Sequence, residues 1–251
     1  MRIVVKLGTS LVAPGGSIDI TRLRALVDQL DLFHHEFLIV SSGAIGSGMS
    51  NLALRKRPTN VPLMQACAAV GQSLLMHTYE QLFFGKKIVA QLLLSSDDFT
   101  SPVRYKNLQN ALGKLLKLGV IPIINENDSV SVRELVGAFG DNDELSALVA
   151  TAVEADWLLL LTDVDGFYMR DGSRGPRLVR TIKKLTPAME EFCNGKGKLG
   201  TGGMRSKLRA AKLASEAGVH VAIVRGQHPH CIAYALQRKI GTYFPPQRRG
   251  Y

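Results

Sequence analysis

Apolar residues along the 251-residue chain fall into two rhythms. Short runs rich in β-branched residues, apolar at nearly every position, occupy residues 3–7, 37–40, 88–94, 120–124, 157–161 and 219–224. A strand with one wet face would alternate, so runs apolar throughout predict strands covered on both faces, as in a parallel sheet. Between them, residues 20–34, 62–84, 102–118, 144–155, 203–217 and 229–238 repeat their apolar positions at helical spacing. Strand and helix alternate along the chain, which predicts an α/β fold: a three-layer α/β/α sandwich around a mostly parallel central sheet. The helix at 62–84 carries Met64, Cys67, Ala68, Val70, Leu74, Leu75, Tyr79 and Leu82 as its apolar positions, for the core or for a dimer contact. Residues 170–198 break the rhythm. The loop signal Asp171-Gly172-Ser173-Arg174-Gly175-Pro176 there predicts a hairpin or flap.

No internal repeat, low-complexity tract or Pro/Ser-rich linker divides the sequence, so one domain spanning residues 1–251 is expected. Composition changes this picture little. Hydrophobic residues make up 46% and charged residues 21%, ordinary globular usage, and no apolar run approaches the roughly 18 residues of a membrane span. The first residues, Met1-Arg2-Ile3-Val4-Val5-Lys6-Leu7, lack the long apolar region and small-residue cleavage site of a signal peptide, and a cytoplasmic location is expected. Three widely spaced cysteines, Cys67, Cys193 and Cys231, fit reduced thiols. His228-Pro229-His230-Cys231 lacks a fourth ligand at usable spacing, so no metal site is expected.

The net charge of +10 is scattered in small groups such as Arg55-Lys56-Arg57, Lys183-Lys184 and Arg248-Arg249, without interleaved aromatics. That distribution suits solvation and small anionic ligands better than nucleic acid.

Ligands of open α/β sheets gather at the carboxyl ends of the strands. Four of the predicted strands end in polar or glycine-rich segments: Lys6-Leu7-Gly8-Thr9-Ser10, Ser41-Ser42-Gly43-Ala44-Ile45-Gly46-Ser47-Gly48, Asn125-Glu126-Asn127-Asp128 and Thr162-Asp163-Val164-Asp165-Gly166. Lys6 is either a solvated lysine or a cation placed for phosphate oxygens. Ser42-Gly43-Ala44 is either a plain strand-to-helix turn or a source of N–H donors and a hydroxyl for a carboxylate. Asp143, in Asp141-Asn142-Asp143, is either a helix N-cap or the partner of nearby lysines, with Asn142 orienting a substrate. Asp163 and Asp165 form turns or a site.

A fifth feature is Leu199-Gly200-Thr201-Gly202-Gly203-Met204-Arg205-Ser206-Lys207, glycines running into a helix. It reads as a flexible loop or as a phosphate cradle, in which unobstructed backbone N–H groups and the helix N-terminus meet an anion and Lys207 adds a full charge. Gly195-Lys196-Gly197-Lys198-Leu199-Gly200 matches the dinucleotide fingerprint only formally, because it follows a helical pattern rather than a strand. No Walker A sequence and no Ser-His-Asp or Cys-His arrangement is present.

Taken together these segments resemble the amino acid kinase family. The resemblance rests on Val5-Lys6-Leu7-Gly8-Thr9-Ser10, Ser42-Gly43-Ala44, Asn125-Glu126-Asn127-Asp128, Gly140-Asp141-Asn142-Asp143, Leu160-Leu161-Thr162-Asp163 with Gly166, and Gly200-Thr201-Gly202-Gly203-Met204 with Lys207, in the family's order from residue 3 to about residue 244. Asn-Glu-Asn-Asp with Gly-Thr-Gly-Gly-Met is specific for the glutamate-phosphorylating branch.

The resemblance implies the amino acid kinase fold, with residues 1–150 as the acceptor-substrate lobe and 151–251 as the nucleotide lobe. It implies Lys6 and Lys207 on the transferring phosphoryl group, with Asp143 organising them. Ser42, Gly43, Ala44, Asn125, Asp128 and Asn142 would bind L-glutamate. Lys6, Gly8, Thr162, Asp163 and Thr201, Gly202, Gly203, Met204, Arg205, Ser206 and Lys207 would bind ATP, accompanied by Mg²⁺. The implied product is L-glutamyl 5-phosphate, a first step toward proline, with proline as feedback inhibitor and a homo-oligomer, dimer or tetramer, as the assembly. Membrane and nucleic-acid partners are not expected. Many members carry a C-terminal PUA domain, whereas this sequence stops soon after Gly241-Thr242-Tyr243-Phe244, so a kinase-only form is expected. The competing expectations are a kinase of the same fold acting on N-acetylglutamate, aspartate or a nucleoside monophosphate, and a non-catalytic nucleotide or nucleic-acid binder suggested by the charge.

Overall fold

In the computed structural model, residues 1–130, 142–171, 174–193 and 202–247 are described. In chain order the elements are β1 (Arg2–Leu7), α1 (Thr9–Val12), α2 (Ile20–Asp31), β2 (Glu36–Ser41), α3 (Ala44–Asn51), α4 (Val61–Phe83), β3 (Val89–Leu94), α5 (Asp97–Thr100), α6 (Pro102–Lys117), β4 (Ile121–Glu126), α7 (Asn142–Ala152), β5 (Trp157–Thr162), β6 (Tyr168–Asp171), β7 (Arg174–Leu178), α8 (Pro187–Phe192), α9 (Gly202–Glu216), β8 (His220–Arg225), α10 (Cys231–Leu236) and β9 (Thr242–Phe244). Seven strands form one sheet in the order β3-β4-β2-β1-β5-β8-β9, parallel except for the antiparallel β9 at its edge. β6 and β7 pair as the separate hairpin expected near residue 170.

The apolar strands divide their side chains between two cores, as sandwiching requires. Ile3, Val5 and Leu7 of β1, with Ile39 and Leu159 of its neighbours, join Leu23 and Leu26 of α2, Leu75 and Tyr79 of α4 and Ile232 of α10. The intervening Val4, with Leu38, Val40, Leu158 and Leu160, joins Leu112 of α6, Val149 of α7 and Leu208 and Ala211 of α9. This is the expected three-layer sandwich. By the period of two, Lys6 shares the face of Val4, and its strand partners are Val40 and Leu160. A lysine thus stands on an apolar face, one residue from the end of the central strand.

Several helix ends fall short of their apolar patterns, and α2 stops at Asp31 rather than residue 34. α10 starts at Cys231 rather than residue 229 because His230 takes a left-handed conformation, φ 58°, at its N-cap. The segment patterned as helix over 144–155 starts two residues earlier, at Asn142, and ends at Ala152. Beyond that end Glu154 turns left-handed, φ 51°.

The pattern does not predict α3, whose Gly46 and Gly48 weaken an isolated helix. Its stability comes from contact with α4. A Cβ on Gly48 would lie 1.8 Å from the Cys67 carbonyl oxygen, and one on Gly71 would lie 1.8 Å from that of Ala44. The helices therefore pack backbone to backbone, which aligns the N-terminus of α3. Gly71→Ala is expected to destabilise the fold by roughly 1–3 kcal/mol, lowering Tm by about 2–4 °C per kcal/mol in a chain of this size. Thermal denaturation checks this, and an unchanged Tm contradicts the close packing.

Candidate active site

The chain leaves β1 toward β2 on one side and returns beside β1 with β5 on the other. Where the order reverses, loops diverge and leave a crevice at the carboxyl ends of the strands. The segments that end β1, β2, β4 and β5 open there.

The crevice centres on three charges. Asp143, in the first turn of α7, is fully buried and its two oxygens engage two lysines: Oδ1 lies 2.6 Å from Lys6 Nζ and Oδ2 lies 3.1 Å from Lys207 Nζ. Lys6 is only 4% exposed and Lys207 12%. Lys207 also donates to the Gly203 carbonyl oxygen at 3.1 Å within its own helix. Of the two readings of Asp143, the structure has the lysine partner. One carboxylate against two ammonium groups leaves one net positive charge in a water-poor site, a standing attraction for an anion. At Gly8 a Cβ would stand 3.9 Å from Lys6 Nζ, so glycine keeps the approach to that ammonium clear.

Burial, the largest single influence on the Asp143 carboxyl, pushes its pKa up. The charges of Lys6 and Lys207 and their hydrogen bonds together outweigh it and hold the group below the ordinary carboxylate range. The unfolded chain, with a value of about 3.9, therefore takes up this proton at higher pH than the folded one. The resulting stabilisation is whole above that value and is lost as pH falls through the folded value. Urea unfolding of the natural chain and of Asp143→Asn should show a stability gap that is constant from about pH 7 to 5 and closes below about pH 4. A gap that widens in acid contradicts this sign.

On one side of this centre lies an amide chain. Asn125 accepts at Oδ1 from the Glu126 backbone N–H at 2.9 Å and from Asn142 Nδ2 at 3.0 Å. Its own Nδ2 donates to Gln72 Oε1 at 2.9 Å. Asn142 Nδ2 also donates to Ser42 Oγ at 3.0 Å, which leaves the Ser42 hydroxyl proton for another acceptor. Ser42 is followed by Gly43 at the N-cap of α3, with φ 98° and Val12 Cγ1 only 3.2 Å from where a Cβ would stand. Glycine is required there on both counts. Ala44 opens α3 beside it, and Asp128 is buried just beyond β4.

On the other side a cavity of about 410 Å³ is lined by residues including Thr162, Asp163, Gly203, Met204, Lys207 and Arg225. Its size suits a nucleotide. Gly202 opens α9, and Arg205 and Ser206 lie on the same first turn without lining the cavity. Thr201, with the rest of residues 194–201, and Gly140 and Asp141 lie outside the described residues.

Sequence reasoning missed two residues here. Arg225 ends β8 and donates from Nε to Asp165 Oδ1 at 2.7 Å, so Asp165 does more than form a turn. Extending the strand-end rule to β8 finds it. Gln72 occupies a core-facing position of α4, in step with Leu75, Tyr79 and Leu82. A polar residue on an apolar helical stripe is the signal that marks it.

These features define a class. The chain belongs to the amino acid kinase family, whose sequence profile matches residues 1–226. Within that class it is similar along its whole length to proteins named glutamate 5-kinase. It is 42% identical to that of Clostridium acetobutylicum, over 99% of this chain and 96% of the relative. It is 47% identical to that of Dehalococcoides mccartyi, over 98% of this chain and 68% of the relative. Among solved structures, carbamate kinase from Giardia lamblia bound to AMP-PNP superimposes with a TM-score of 0.66 at 20% identity, covering 98% of each chain. UMP kinase from Ureaplasma parvum does so with 0.60 at 17% identity, covering 97% of this chain and 98% of that one. Such distant likenesses establish the fold.

Proposed function

We propose that the chain transfers the γ-phosphoryl group of ATP to the side-chain carboxylate of L-glutamate, giving L-glutamyl 5-phosphate and ADP. The observation that carries the reading is the Lys6–Asp143–Lys207 cluster, standing between a buried amide chain and a nucleotide-sized cavity. Similarity to glutamate 5-kinases along nearly the whole chain supports the choice of acceptor.

A glutamate side chain, with a pKa near 4.3, is already ionised at neutral pH, so the attack needs no general base. One carboxylate oxygen forms a bond to the γ-phosphorus while the bond to the β–γ bridging oxygen breaks and ADP departs with that electron pair. Catalysis is then alignment and charge neutralisation. Lys6 reaches the phosphoryl group from the acceptor side and Lys207 from the nucleotide side, while Asp143 holds the two ammonium groups together. Thr162, Asp163, Gly203, Met204 and Lys207 hold the nucleotide, and Ser42, Gly43, Ala44, Asn125, Asp128 and Asn142 bind the acceptor. The acceptor lobe is residues 1–150 and the nucleotide lobe 151–251.

Mg²⁺ accompanies the nucleotide in this reading. It retains several waters and binds mainly through phosphates, supplying further charge neutralisation. Feedback inhibition by proline and assembly into a homo-oligomer belong to the same reading. No helix among the described residues is long and apolar enough to cross a membrane.

The test is ADP release from Mg²⁺-ATP on adding L-glutamate, with hydroxylamine trapping the acyl phosphate as a hydroxamate. Release with glutamate in preference to N-acetylglutamate, aspartate and nucleoside monophosphates is expected. Silence with glutamate, or a clear preference for another acceptor, overturns the proposal.

A further inference from the structure

The amide chain at the acceptor pocket has a polarity fixed from one end. The backbone N–H of Glu126 can only donate, so the Asn125 atom it meets is the oxygen and the other is the nitrogen. That nitrogen donates to Gln72, so the Gln72 atom it meets is Oε1, and Nε2 is the atom left over. On the other side Asn142 meets the Asn125 oxygen and Ser42 through its nitrogen, leaving Oδ1. Both remaining atoms are buried and without a hydrogen-bond partner among the described residues. Gln72 is 7% exposed and Asn142 3%. A buried amide group left open costs about 1–3 kcal/mol, and such groups in native folds point to a missing partner.

The two open atoms are opposite in kind, one N–H donor and one carbonyl acceptor. A zwitterionic α-amino acid presents the complementary pair, an α-carboxylate and an α-ammonium. The placement agrees. Asn125 is on β4, two strands from β1 and thus roughly 10 Å across the sheet from Lys6, and by parity with Ile123 it faces α4, where Gln72 meets it. Gly71, the residue before Gln72, abuts Ala44 at the start of α3, and Gln72 is joined to Ser42 through Asn125 and Asn142.

We propose that Gln72 is a specificity-determining residue: its Nε2 donates to the α-carboxylate of the amino-acid acceptor, while its Oε1 anchors Asn125. The inference rests on the reading of the site as one for glutamate. It makes the pocket selective for an α-carboxylate as well as for the side-chain carboxylate that reacts.

Two variants test it. Gln72→Met, near in volume, removes the donor and is expected to raise KM for L-glutamate about 10- to 100-fold, the effect of losing a hydrogen bond to a charged group, with KM for ATP unchanged. Gln72→Glu keeps an acceptor for Asn125 but turns an oxygen toward the substrate in place of the N–H. It is expected to shift preference toward the α-amide of L-glutamate, which retains the reacting carboxylate and offers N–H groups where glutamate has the α-carboxylate. A KM for glutamate unmoved in Gln72→Met, or a rise shared with ATP, overturns the proposal, as does an amide-to-glutamate preference in Gln72→Glu equal to that of the natural chain. If the natural chain itself ignores glutamate, the reading beneath the inference fails; an active natural chain indifferent to both substitutions removes the role of Gln72 alone.

Discussion

Lys207→Ala lowers kcat for glutamate-dependent ADP formation by about 10²–10³, roughly 3–4 kcal/mol of transition-state stabilisation, and Lys6→Ala does the same. The expectation follows from placement. Each ammonium is fixed by a carboxylate that is itself held in the first turn of α7, so neither must reorganise as charge shifts toward the leaving oxygen. In a water-poor crevice such fixed donors act with more force than they would in solvent. Because the lysines serve the developing charge, the loss should fall on kcat more than on KM for glutamate. Both act on one phosphoryl group, so the double variant should lose less than the product of the single losses. Steady-state kinetics with both substrates varied checks this. A Lys6→Ala or Lys207→Ala enzyme within about tenfold of the natural kcat, where removal of one such donor costs 10²–10³, contradicts a role at the reacting centre.

The second large effect concerns Asp143. Replacing it with asparagine leaves two buried ammonium groups facing each other without their counter-charge, a change expected to cost about 3–5 kcal/mol of stability. Activity should collapse too, since the lysines repel one another away from the phosphoryl position. Adding Lys6→Met to Asp143→Asn removes the repulsion, and should recover much of the stability and none of the activity. Urea unfolding together with turnover separates the two effects. If Asp143→Asn is as stable as the natural chain, or if Lys6→Met fails to relieve it, the ion triad is not the electrostatic centre of the fold.

The layered α/β architecture was legible because strands buried on both faces carry unbroken apolar runs, and 3–7, 37–40 and 157–161 are the three strands at the middle of the sheet. Lys6 stood out for the same reason, as the one charge inside such a run. What the sequence hid was whatever depends on tertiary contact. α3 looked like a glycine-rich turn because its stability comes from glycine-to-backbone packing on α4 rather than from propensity or periodicity. β9 is three residues long and is held by β8 on one side and by the backbone of Arg180 and Ile182 on the other. Asp143 was ambiguous between a cap and a partner because Lys6 and Lys207 are 137 and 64 residues away in sequence, and only the fold joins them. Gln72 is marked only as a polar residue among mostly apolar core-facing positions of its helix, and its partner Asn125 is 53 residues away.

A crystal structure of the chain with ADP, Mg²⁺ and L-glutamate tests the Lys6–Asp143–Lys207 centre directly. Glutamate is expected with its side-chain carboxylate directed at the β-phosphate, and Lys6 and Lys207 Nζ, still joined by Asp143, each within about 3 Å of the space between them. A structure in which either lysine turns away from that space, or in which glutamate binds apart from Ser42, Asn125 and Asn142, contradicts it.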